Sequence, residues 1–440
     1  MSLVRIQDTN GKTTSILKFV LNNSKDKINF KKDESKYISL KTDPDLVLKR
    51  LFKEMKESKI VLDISEINLR HKQMVLNIAE RYLYKFNKYN TNSSRPSLKD
   101  KKNKILVYDI NSDIDWILKK NTYMTFTRDI INEPANVATP EYISLLVKKN
   151  LKNAKVIIYN KDQIIKKGLN LVYAVGKGSM NDPRFVVIEY FPKNKVNTTI
   201  CLCGKGVVFD AGGTQIKTGT SNSYAMKADK TGGCIVIGLM KYFSDMEIPC
   251  NMVGVIPLVE NVVSGSAIMP GDIYTSYSGK TVEILNTDAE GRLILADALS
   301  YCEKYNPDYI FDFATLTGWA SKLHCDIAAA FYSPNAKLHR MIEDIGEECG
   351  DRTWGMPKWL EYKSYCKSKV ADLKNYDLSV DGCTAGGGYM AAMFLAHFVP
   401  SRCIQNWVHF DICNNIDDHI MNANTMNLAI NLIKTLVYNK

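Results

Sequence analysis

Beyond about residue 150 the chain carries short, continuous apolar runs, a pattern typical of strands that are buried on both faces of a sheet. Between some of these runs the apolar residues follow helical spacing, as at 231–246 and 292–305. Strands that alternate with helices predict a mostly parallel central sheet with helices on its faces. The strands are predicted at residues 154–160, 169–178, 184–191, 199–209, 250–259 and 308–316.

The first 122 residues show a weaker form of the same alternation. Apolar residues follow helical spacing at 47–59 and 74–86, and a short apolar strand lies between them at 60–64. A polar loop at 91–104 precedes another apolar strand at 105–110. This order of elements predicts a small α/β domain with a core of its own.

A boundary is predicted where the helical stretch at 112–132 runs into EPANVATPEY (133–142), which contains two prolines. A chain of 440 residues is also long for one domain. We therefore predict two domains of the α/β class joined by a linker. They are an N-terminal domain at 1–122, a linker helix and loop at 123–142, and a larger C-terminal domain at 143–440.

Composition favours a soluble protein of the cytoplasm with no membrane partner. No apolar run approaches the ~20 residues that cross a bilayer. The opening residues, MSLVRIQDTNGKTTS, lack the charged head and apolar segment of a secretory signal. The eleven cysteines include no CxxC pair, so we expect free thiols that pack as small apolar side chains in a reducing compartment.

The net charge of +11 makes a polyanion site the alternative to an ordinary charged surface. Lysines concentrate in KDKINFKKDESK (25–36) and RPSLKDKKNK (95–104), but acids are mixed into both stretches. We interpret these stretches as solvated surface, so nucleic acid is not the expected partner. A DNA-binding accessory role is kept as a second hypothesis for the chain.

Four acids lie where buried elements begin or end: Asp210, Asp229, Asp288 and Glu290. Each alone could be a helix cap or a turn acid. Gathered at the carboxyl ends of parallel strands, they would repel one another unless a cation neutralised them. Carboxylate oxygens suit Zn²⁺, Mn²⁺ or Mg²⁺. Four acids exceed the ligands of one catalytic zinc and favour two metals ~3.5–4 Å apart.

The motifs around these acids resemble the leucine aminopeptidase (cytosol aminopeptidase) family. They are GKGVVFDAGG (204–213), TQIK (214–217), MKAD (226–229) and NTDAEGRLILADAL (286–299). The resemblance runs from about residue 125 to the C-terminus and includes ATLTG (314–318) and WVHFDI (407–412). It implies a hydrolase that removes N-terminal amino acids from peptides by means of a water or hydroxide that bridges two divalent metals.

Carried over by position, the resemblance implies a set of metal ligands and two metals for each subunit. Zinc or manganese is expected, with magnesium or cobalt also open. The implied ligands are Lys205, Asp210, Asp229, Asp288 and Glu290, of which Asp210 and Glu290 bridge. A protonated lysine cannot donate a lone pair, so the pKa of Lys205 must fall when metal binds. Lys205 as a surface lysine in a GKG turn is the alternative.

The same resemblance implies that Lys217 and Arg292 are the catalytic side chains. Lys217 would polarise the scissile carbonyl, and Arg292 would hold a bicarbonate ion that relays the proton of the bridging water. Arg292 could instead only pair with Glu290. The expected partners are peptides with a free N-terminus and further copies of the chain in a homohexamer. The implied substrate wall comprises Met226, Thr315, Leu316 and Gly318.

Several positions depart from the family's pattern, so the preferred first residue stays open. The spacing from Lys217 to Asp229 is one residue longer than usual, and Lys230 stands where methionine is common. The other departures are Ala211, Trp319, Met269, Cys413 and Asn414. None removes an implied ligand or catalytic residue, although a catalytically silent homologue remains an alternative.

Overall fold

A computed structural model describes residues 3–7, 13–22, 27–32, 36–39, 59–66, 73, 76–81, 84–91, 105–108, 114–218, 223–325, 327–377, 387–412, 416–417, 420–421, 423 and 425–438. The chain divides into two compact units, Met1–Thr125 and Phe126–Lys440. The limits given above for the two domains and the linker, at residues 122/123 and 142/143, remain predictions.

In the described part of the first unit, six strands form one sheet in the order β4-β3-β2-β5-β6, and β1 also pairs with β2. The strands are β1 (Leu3–Gln7), β2 (Thr13–Asn22), β3 (Lys27–Lys32), β4 (Lys36–Ser39), β5 (Lys59–Glu66) and β6 (Ile105–Tyr108). The pairs β1–β2, β2–β3 and β3–β4 are antiparallel. The pairs β2–β5 and β5–β6 are parallel.

The strands predicted at 60–64 and 105–110 are confirmed as β5 and β6. Residues 76–81 are helical, as predicted, whereas 47–58 and most of the loop at 91–104 lie outside the described residues. Strands β1 to β4 were not predicted. Strand β3, for example, is KINFKK, in which lysines flank a short apolar alternation, and that charge obscures the strand pattern.

The second unit alternates helices and strands along the chain. Its helices are α1 (Asp115–Asn132, which begins in the first unit), α2 (Pro140–Asn150), α3 (Lys161–Lys166), α4 (Asn170–Gly176), α5 (Thr231–Asp245), α6 (Glu290–Tyr301), α7 (Gly318–His324), α8 (Ala336–Cys349), α9 (Gly387–Ala396) and α10 (Met426–Tyr438). Its strands are β7 (Lys155–Tyr159), β8 (Arg184–Tyr190), β9 (Thr199–Gly204), β10 (Gly206–Asp210), β11 (Asn251–Asn261), β12 (Ile273–Thr275), β13 (Thr281–Glu283), β14 (Tyr309–Ala314), β15 (Ala329–Tyr332), β16 (Thr353–Gly355), β17 (Leu373–Lys374), β18 (Trp407–Asp411), β19 (Ile416–Asp417) and β20 (Ile420–Met421).

The main sheet of this unit has the order β16-β15-β18-β14-β9-β11-β8-β7, with β10 paired to β11. Strands β18, β14, β9 and β11 run parallel to one another. Three pairs are antiparallel: β15 with β18, β8 with β11, and β7 with β8. A mostly parallel sheet flanked by helices was predicted and is confirmed. Parallel strands place their carboxyl ends at one edge, where ligands collect in such sheets.

Helices α5 and α6 cover opposite faces of the central strands. A Cβ added at Gly254 of β11 would meet Met240 and Val236 of α5. On the other face the Cys203 sulfur lies 3.4 Å from that of Cys302, the residue that caps α6. Alternate residues of a strand point to opposite faces, so continuous apolar runs are required here.

Glycines bring the start of α5 directly onto the carboxyl ends of the strands. A Cβ at Gly232 would lie 1.9 Å from the Phe313 carbonyl oxygen, and one at Gly204 would lie 2.6 Å from the Gly232 oxygen. No larger residue fits at these contacts. The TGG sequence therefore fixes the position of Asp229, which precedes it by two residues.

The strand predicted at 169–178 is wrong, because this segment forms helix α4. Both carboxylate oxygens of the buried Asp297 accept backbone hydrogen bonds. Leu171 N (2.9 Å) and Val172 N (3.2 Å), in the first turn of α4, donate to one, and Tyr277 N (2.7 Å) donates to the other. The helix is apolar on most sides and buried, so periodicity could not separate it from a strand. Its start depends on a carboxylate that is distant in sequence.

We expect Asp297→Ala to lower the free energy of unfolding by about 2–5 kcal/mol, because it leaves two buried amides and one partly buried amide without an acceptor. Asp297→Asn keeps one acceptor oxygen and should cost less. Chemical denaturation followed by circular dichroism would measure both variants. Equal, negligible losses would show that Asp297 does not hold the start of α4.

In the described residues no helix is long and apolar enough to span a bilayer. Every cysteine described there is a free thiol, and all of these except Cys325 are buried. The expectation of unpaired, core-packed cysteines is confirmed for this part of the chain.

Candidate metal centre

The four acids come together at the carboxyl ends of the parallel strands. Asp210 ends β10, Asp229 lies just before α5, and Asp288 and Glu290 lie at the start of α6. Carboxylate oxygens of Asp210, Asp288 and Glu290 lie within 4.8 Å of one another. All but Asp288 are at least nine-tenths buried.

Lys205 lies on one side of the acids, where the predicted strand at 199–209 is interrupted between β9 and β10. Its backbone N donates to the Phe313 oxygen, and its ammonium lies 2.9 Å from Asp229 Oδ1 and 2.8 Å from Glu290 Oε1. The ammonium also donates to the Thr315 carbonyl at 2.8 Å. The side chain is 4% exposed, so the alternative of a surface lysine in a turn is wrong.

Lys217 lies on the other side of the acids, 2.8 Å from Asp210 Oδ2 and 2.5 Å from Asp288 Oδ1. Its side chain is 32% exposed, so it is partly accessible to solvent. The two lysines thus divide the acids between them, the buried one on Asp229 and Glu290 and the accessible one on Asp210 and Asp288.

The electrostatics of the cluster show that two ammonium groups do not balance four carboxylates. Burial, together with the charge of Asp210, raises the pKa of Asp288 to about 7. Burial alone would lower the pKa of Lys205, but three neighbouring carboxylates outweigh it and hold that pKa well above its ordinary value. Burial acts the same way on Lys217, and its acidic neighbours again raise the pKa.

The donor set fits divalent cations. Asp229 Oδ2 is buried and accepts no hydrogen bond from the described residues. Such an orphaned carboxylate oxygen is costly without a cation. The remaining oxygens converge from three chain segments, and hard oxygen donors of this kind suit Zn²⁺, Mn²⁺ and Mg²⁺. The cluster therefore offers carboxylate ligands and uncompensated negative charge that suit a divalent metal.

A second layer of polar side chains holds these loops. Asn261 Nδ2, at the end of β11, donates to Asp210 Oδ1 (2.8 Å) and the Thr287 carbonyl (3.1 Å). Thr287 N donates to Gln215 Oε1, and Gln215 N donates to the Thr287 hydroxyl. The loop of Asp210 is thereby tied to the loop of Asp288. We did not predict these three residues, although Gln215 and Thr287 lie inside the motifs.

Arg292 lies in the first turn of α6, two residues after Glu290, and is buried, with 5% of the residue exposed. Nη1 donates to the Asn375 carbonyl at 2.9 Å, whereas the buried Nε donates to no described residue. No ion pair with Glu290 is formed among the described residues, so that alternative is not supported. Burial lowers the pKa of the guanidinium. Asn375, which we also did not predict, receives hydrogen bonds from Leu285 N and Asn286 N and so holds the loop of Asp288.

The four residues predicted to form a substrate wall lie on two segments. Met226 belongs to a 3₁₀ turn, Ser223–Ala228, and is partly buried. Thr315, Leu316 and Gly318 follow β14, and a Cβ added at Gly318 would meet open space. The Thr315 hydroxyl donates to Asp229 Oδ1 at 2.8 Å, so this segment also contacts the acids.

Comparison with known proteins agrees with this geometry. A model of the cytosol aminopeptidase family, catalytic domain, matches residues 125–433. The chain belongs to the cytosol aminopeptidase family. It is 42% identical over 292 residues to a probable cytosol aminopeptidase from Cenarchaeum symbiosum (strain A), covering 66% of this chain and 58% of that protein. The chain thus spans less than two thirds of the length of this curated relative.

Two solved structures extend the likeness over most of the chain. Cytosol aminopeptidase from Coxiella burnetii has a TM-score of 0.78 at 29% identity, covering 88% of this chain and 83% of that one. The bottromycin maturation enzyme BotP, in complex with Mn, has a TM-score of 0.75 at 25% identity and covers 88% and 86%. The fold and the resemblance inferred from the motifs are both confirmed.

Two of the described positions that depart from the pattern of the cytosol aminopeptidase family, Lys230 and Trp319, are buried and packed. Lys230 is fully buried, donates to the carbonyls of Glu133 (3.0 Å) and Lys227, and has its pKa lowered to about 8 by burial. Trp319 packs edge-on against Tyr389 with centroids 5.0 Å apart. Residues 219–222, within the longer loop, and Cys413 and Asn414 lie outside the described residues.

Proposed function

We propose that this chain is a metal-dependent aminopeptidase that removes N-terminal amino acids from peptides. The observation that carries the proposal is the convergence of Asp210, Asp288 and Glu290 within 4.8 Å, between one buried and one accessible lysine. Family membership supports it. Cytoplasmic location, a homohexameric assembly and peptide substrates with a free N-terminus belong to the same proposal.

The residues that would hold the two metals are Lys205, Asp210, Asp229, Asp288 and Glu290, with zinc or manganese as the expected ions. A metal pair bound there would lower the pKa of a shared water towards ~7 and take the free amine of the substrate as a ligand. Lys205 carries a proton in the metal-free chain, so its ligation would release that proton and make metal uptake depend on pH.

The other side chains would act on the substrate. The Lys217 ammonium is accessible and would leave Asp210 and Asp288 to the metals. It could then donate to the scissile carbonyl and stabilise the charge that develops on that oxygen. Arg292 has a buried Nε without an acceptor, so its guanidinium can hold a planar oxyanion such as bicarbonate, which would move the proton of the reacting water. Met226, Thr315, Leu316 and Gly318 would contact the first residue of the peptide.

Chelation should abolish cleavage of an unblocked dipeptide, and added Mn²⁺ or Zn²⁺ should restore it. An N-acetylated version of the dipeptide should remain uncut, because acetylation removes the amine that would serve as a ligand. Chromatography of products after incubation with each metal would measure both effects. Equal cleavage of blocked and free peptides would contradict the exopeptidase assignment. Absence of cleavage with Mn²⁺, Zn²⁺, Co²⁺ and Mg²⁺ would favour the silent homologue.

A further inference from the structure

The segment Thr315–Gly318, predicted to form part of the substrate wall, also contacts two residues of the acid cluster, Asp229 and Lys205. The Thr315 hydroxyl donates to Asp229 Oδ1 (2.8 Å), and its carbonyl accepts from the Lys205 ammonium (2.8 Å). We call residues 315–318 the wall loop. Any shift of the wall loop would therefore move two candidate ligands as well as the surface that faces the first residue of the substrate.

Asp411, the last residue of β18, accepts hydrogen bonds from the wall loop. Its carboxylate is fully buried, and Oδ1 accepts hydrogen bonds from Leu316 N and Thr317 N, both at 3.2 Å. Oδ2 accepts from the Thr317 hydroxyl at 2.5 Å. In the described part of the chain Asp411 forms no ion pair within 4.0 Å, so its direct stabilising contacts are these hydrogen bonds from one loop. The buried side chains of Arg292 and His409 also interact with its charge.

The other titratable side chain on the same strand, His409, forms its hydrogen bond with a different carboxylate. His409 and Asp411 lie two residues apart on β18 and so point to the same face of the sheet. His409 Nδ1 is 2.5 Å from Asp312 Oδ1, and Trp407 Nε1 donates to Asp312 Oδ2 at 2.7 Å. Trp407 Nε1 and His409 Nδ1 therefore contact Asp312, whereas the hydrogen bonds to the Asp411 carboxylate come from the wall loop.

We propose that Asp411 is a positioning residue that sets the wall loop, and through it the preference for the first residue of the substrate and the placement of Asp229. The inference rests on the proposed aminopeptidase function. The hydrogen bonds of Asp411 go to Leu316 and Thr317, so it acts on the substrate and on Asp229 through the wall loop.

The kinetic test uses graded substitutions of Asp411 and its partner. Asp411→Ala removes all three acceptor contacts and should lower kcat/KM on leucine amide about 100-fold, the cost typical of misplacing a reacting group by ~1 Å. It should also change the leucine-to-alanine ratio of kcat/KM by more than about fivefold, since wall contacts discriminate by roughly 10–200-fold for each methylene. General destabilisation of the protein would lower kcat/KM for both substrates by the same factor and leave their ratio unchanged.

Two conservative variants separate geometry from charge. Asp411→Asn keeps an acceptor oxygen for both amides and should recover most of the activity and of the wild-type ratio. Thr317→Val loses the hydroxyl and should shift the ratio in the same direction as Asp411→Ala, whereas Thr317→Ser should not. If Asp411→Asn is as impaired as Asp411→Ala, the charge rather than the position matters and the proposal is overturned.

A measurement on the loop itself stands apart from activity. In the wild type, hydrogen exchange of the Leu316 and Thr317 amides should be slow, and Asp411→Ala should accelerate it by at least about tenfold. Fast exchange in the wild type would overturn the proposal. Elemental analysis should show metal retained in Thr317→Val. If the wild type cleaves no peptide, the proposed function fails, and the exchange rates still decide whether Asp411 holds the wall loop.

Discussion

Glu290→Gln should lose both metal and activity, whereas Arg292→Ala should lose only activity. Glu290 is 1% exposed, and its carboxylate lies within the oxygen cluster of Asp210 and Asp288. Glutamine has nearly the same shape but no charge, so it cannot balance a second dication. Mutation of a residue that only hydrogen-bonds to a metal ligand typically lowers metal affinity or activity 10–100-fold. Removing a proposed ligand such as Glu290 should therefore lower activity by more than about a hundredfold.

Arg292→Ala tests the separate role of the guanidinium. Its described hydrogen bond goes to the Asn375 carbonyl and to no carboxylate, so both metals should remain when it is removed. The rate should fall by roughly 10²–10³, the usual cost of losing a group that stabilises charge in the transition state. Added bicarbonate should stimulate the wild type more than this variant, if bicarbonate is what the guanidinium holds.

Elemental analysis and steady-state kinetics on the two variants would decide between these outcomes. Asp162→Asn is a matched control, because it removes one carboxylate charge from an exposed position on α3 and should change neither metal content nor rate. Loss of metal from Arg292→Ala as readily as from Glu290→Gln would show that the arginine is structural. Full metal content in Glu290→Gln would remove the glutamate from the ligand set.

Local patterns were sufficient for most strands of the central sheet and for the acids. Continuous apolar runs identified β8, β9, β11 and β14, because strands buried on both faces carry such runs. The acids were found because each follows or precedes such an element. In each case the signal lies within a few residues of the feature that it predicts.

Features that depend on contacts between distant segments could not be predicted in this way. Helix α4 begins where Asp297 caps it from 126 residues away, so its apolar run was mistaken for a strand. Asn261 and Asn375 hold the loops of Asp210 and Asp288 but look like ordinary polar residues in the sequence. One signal was available: Asp411 is an acid at the end of the mostly apolar strand WVHFD, and a buried acid needs a partner.

The two lysines of the cluster should behave in opposite ways when each is replaced by methionine, which has a similar length but no charge. Lys205→Met removes a buried ammonium from Asp229 and Glu290, which lie 2.9 and 2.8 Å away. Breaking a buried ion pair by removing one partner costs about 3–5 kcal/mol. The variant should therefore be less stable in the presence of a chelator, and it should also bind less metal, because a proposed ligand is gone.

Lys217→Met should keep its metal and lose rate. The ammonium of Lys217 pairs with Asp210 Oδ2 and Asp288 Oδ1 and would compete with a bound metal for them, so its removal would free two proposed ligand oxygens instead of deleting one. Because Lys217 is 32% exposed, its loss should cost little stability. The rate should fall by roughly 10²–10³, mainly in kcat, if the contact with the carbonyl oxygen strengthens in the transition state.

Thermal unfolding in chelator, elemental analysis and the split between kcat and KM would separate the two lysines. The comparison is informative because both variants remove the same charge from the same cluster of carboxylates. A Lys217→Met protein that loses metal as Lys205→Met does would place Lys217 among the structural groups of the cluster. A Lys205→Met protein with full metal content and normal stability would exclude Lys205 as a ligand and leave the carboxylates alone to hold the metals.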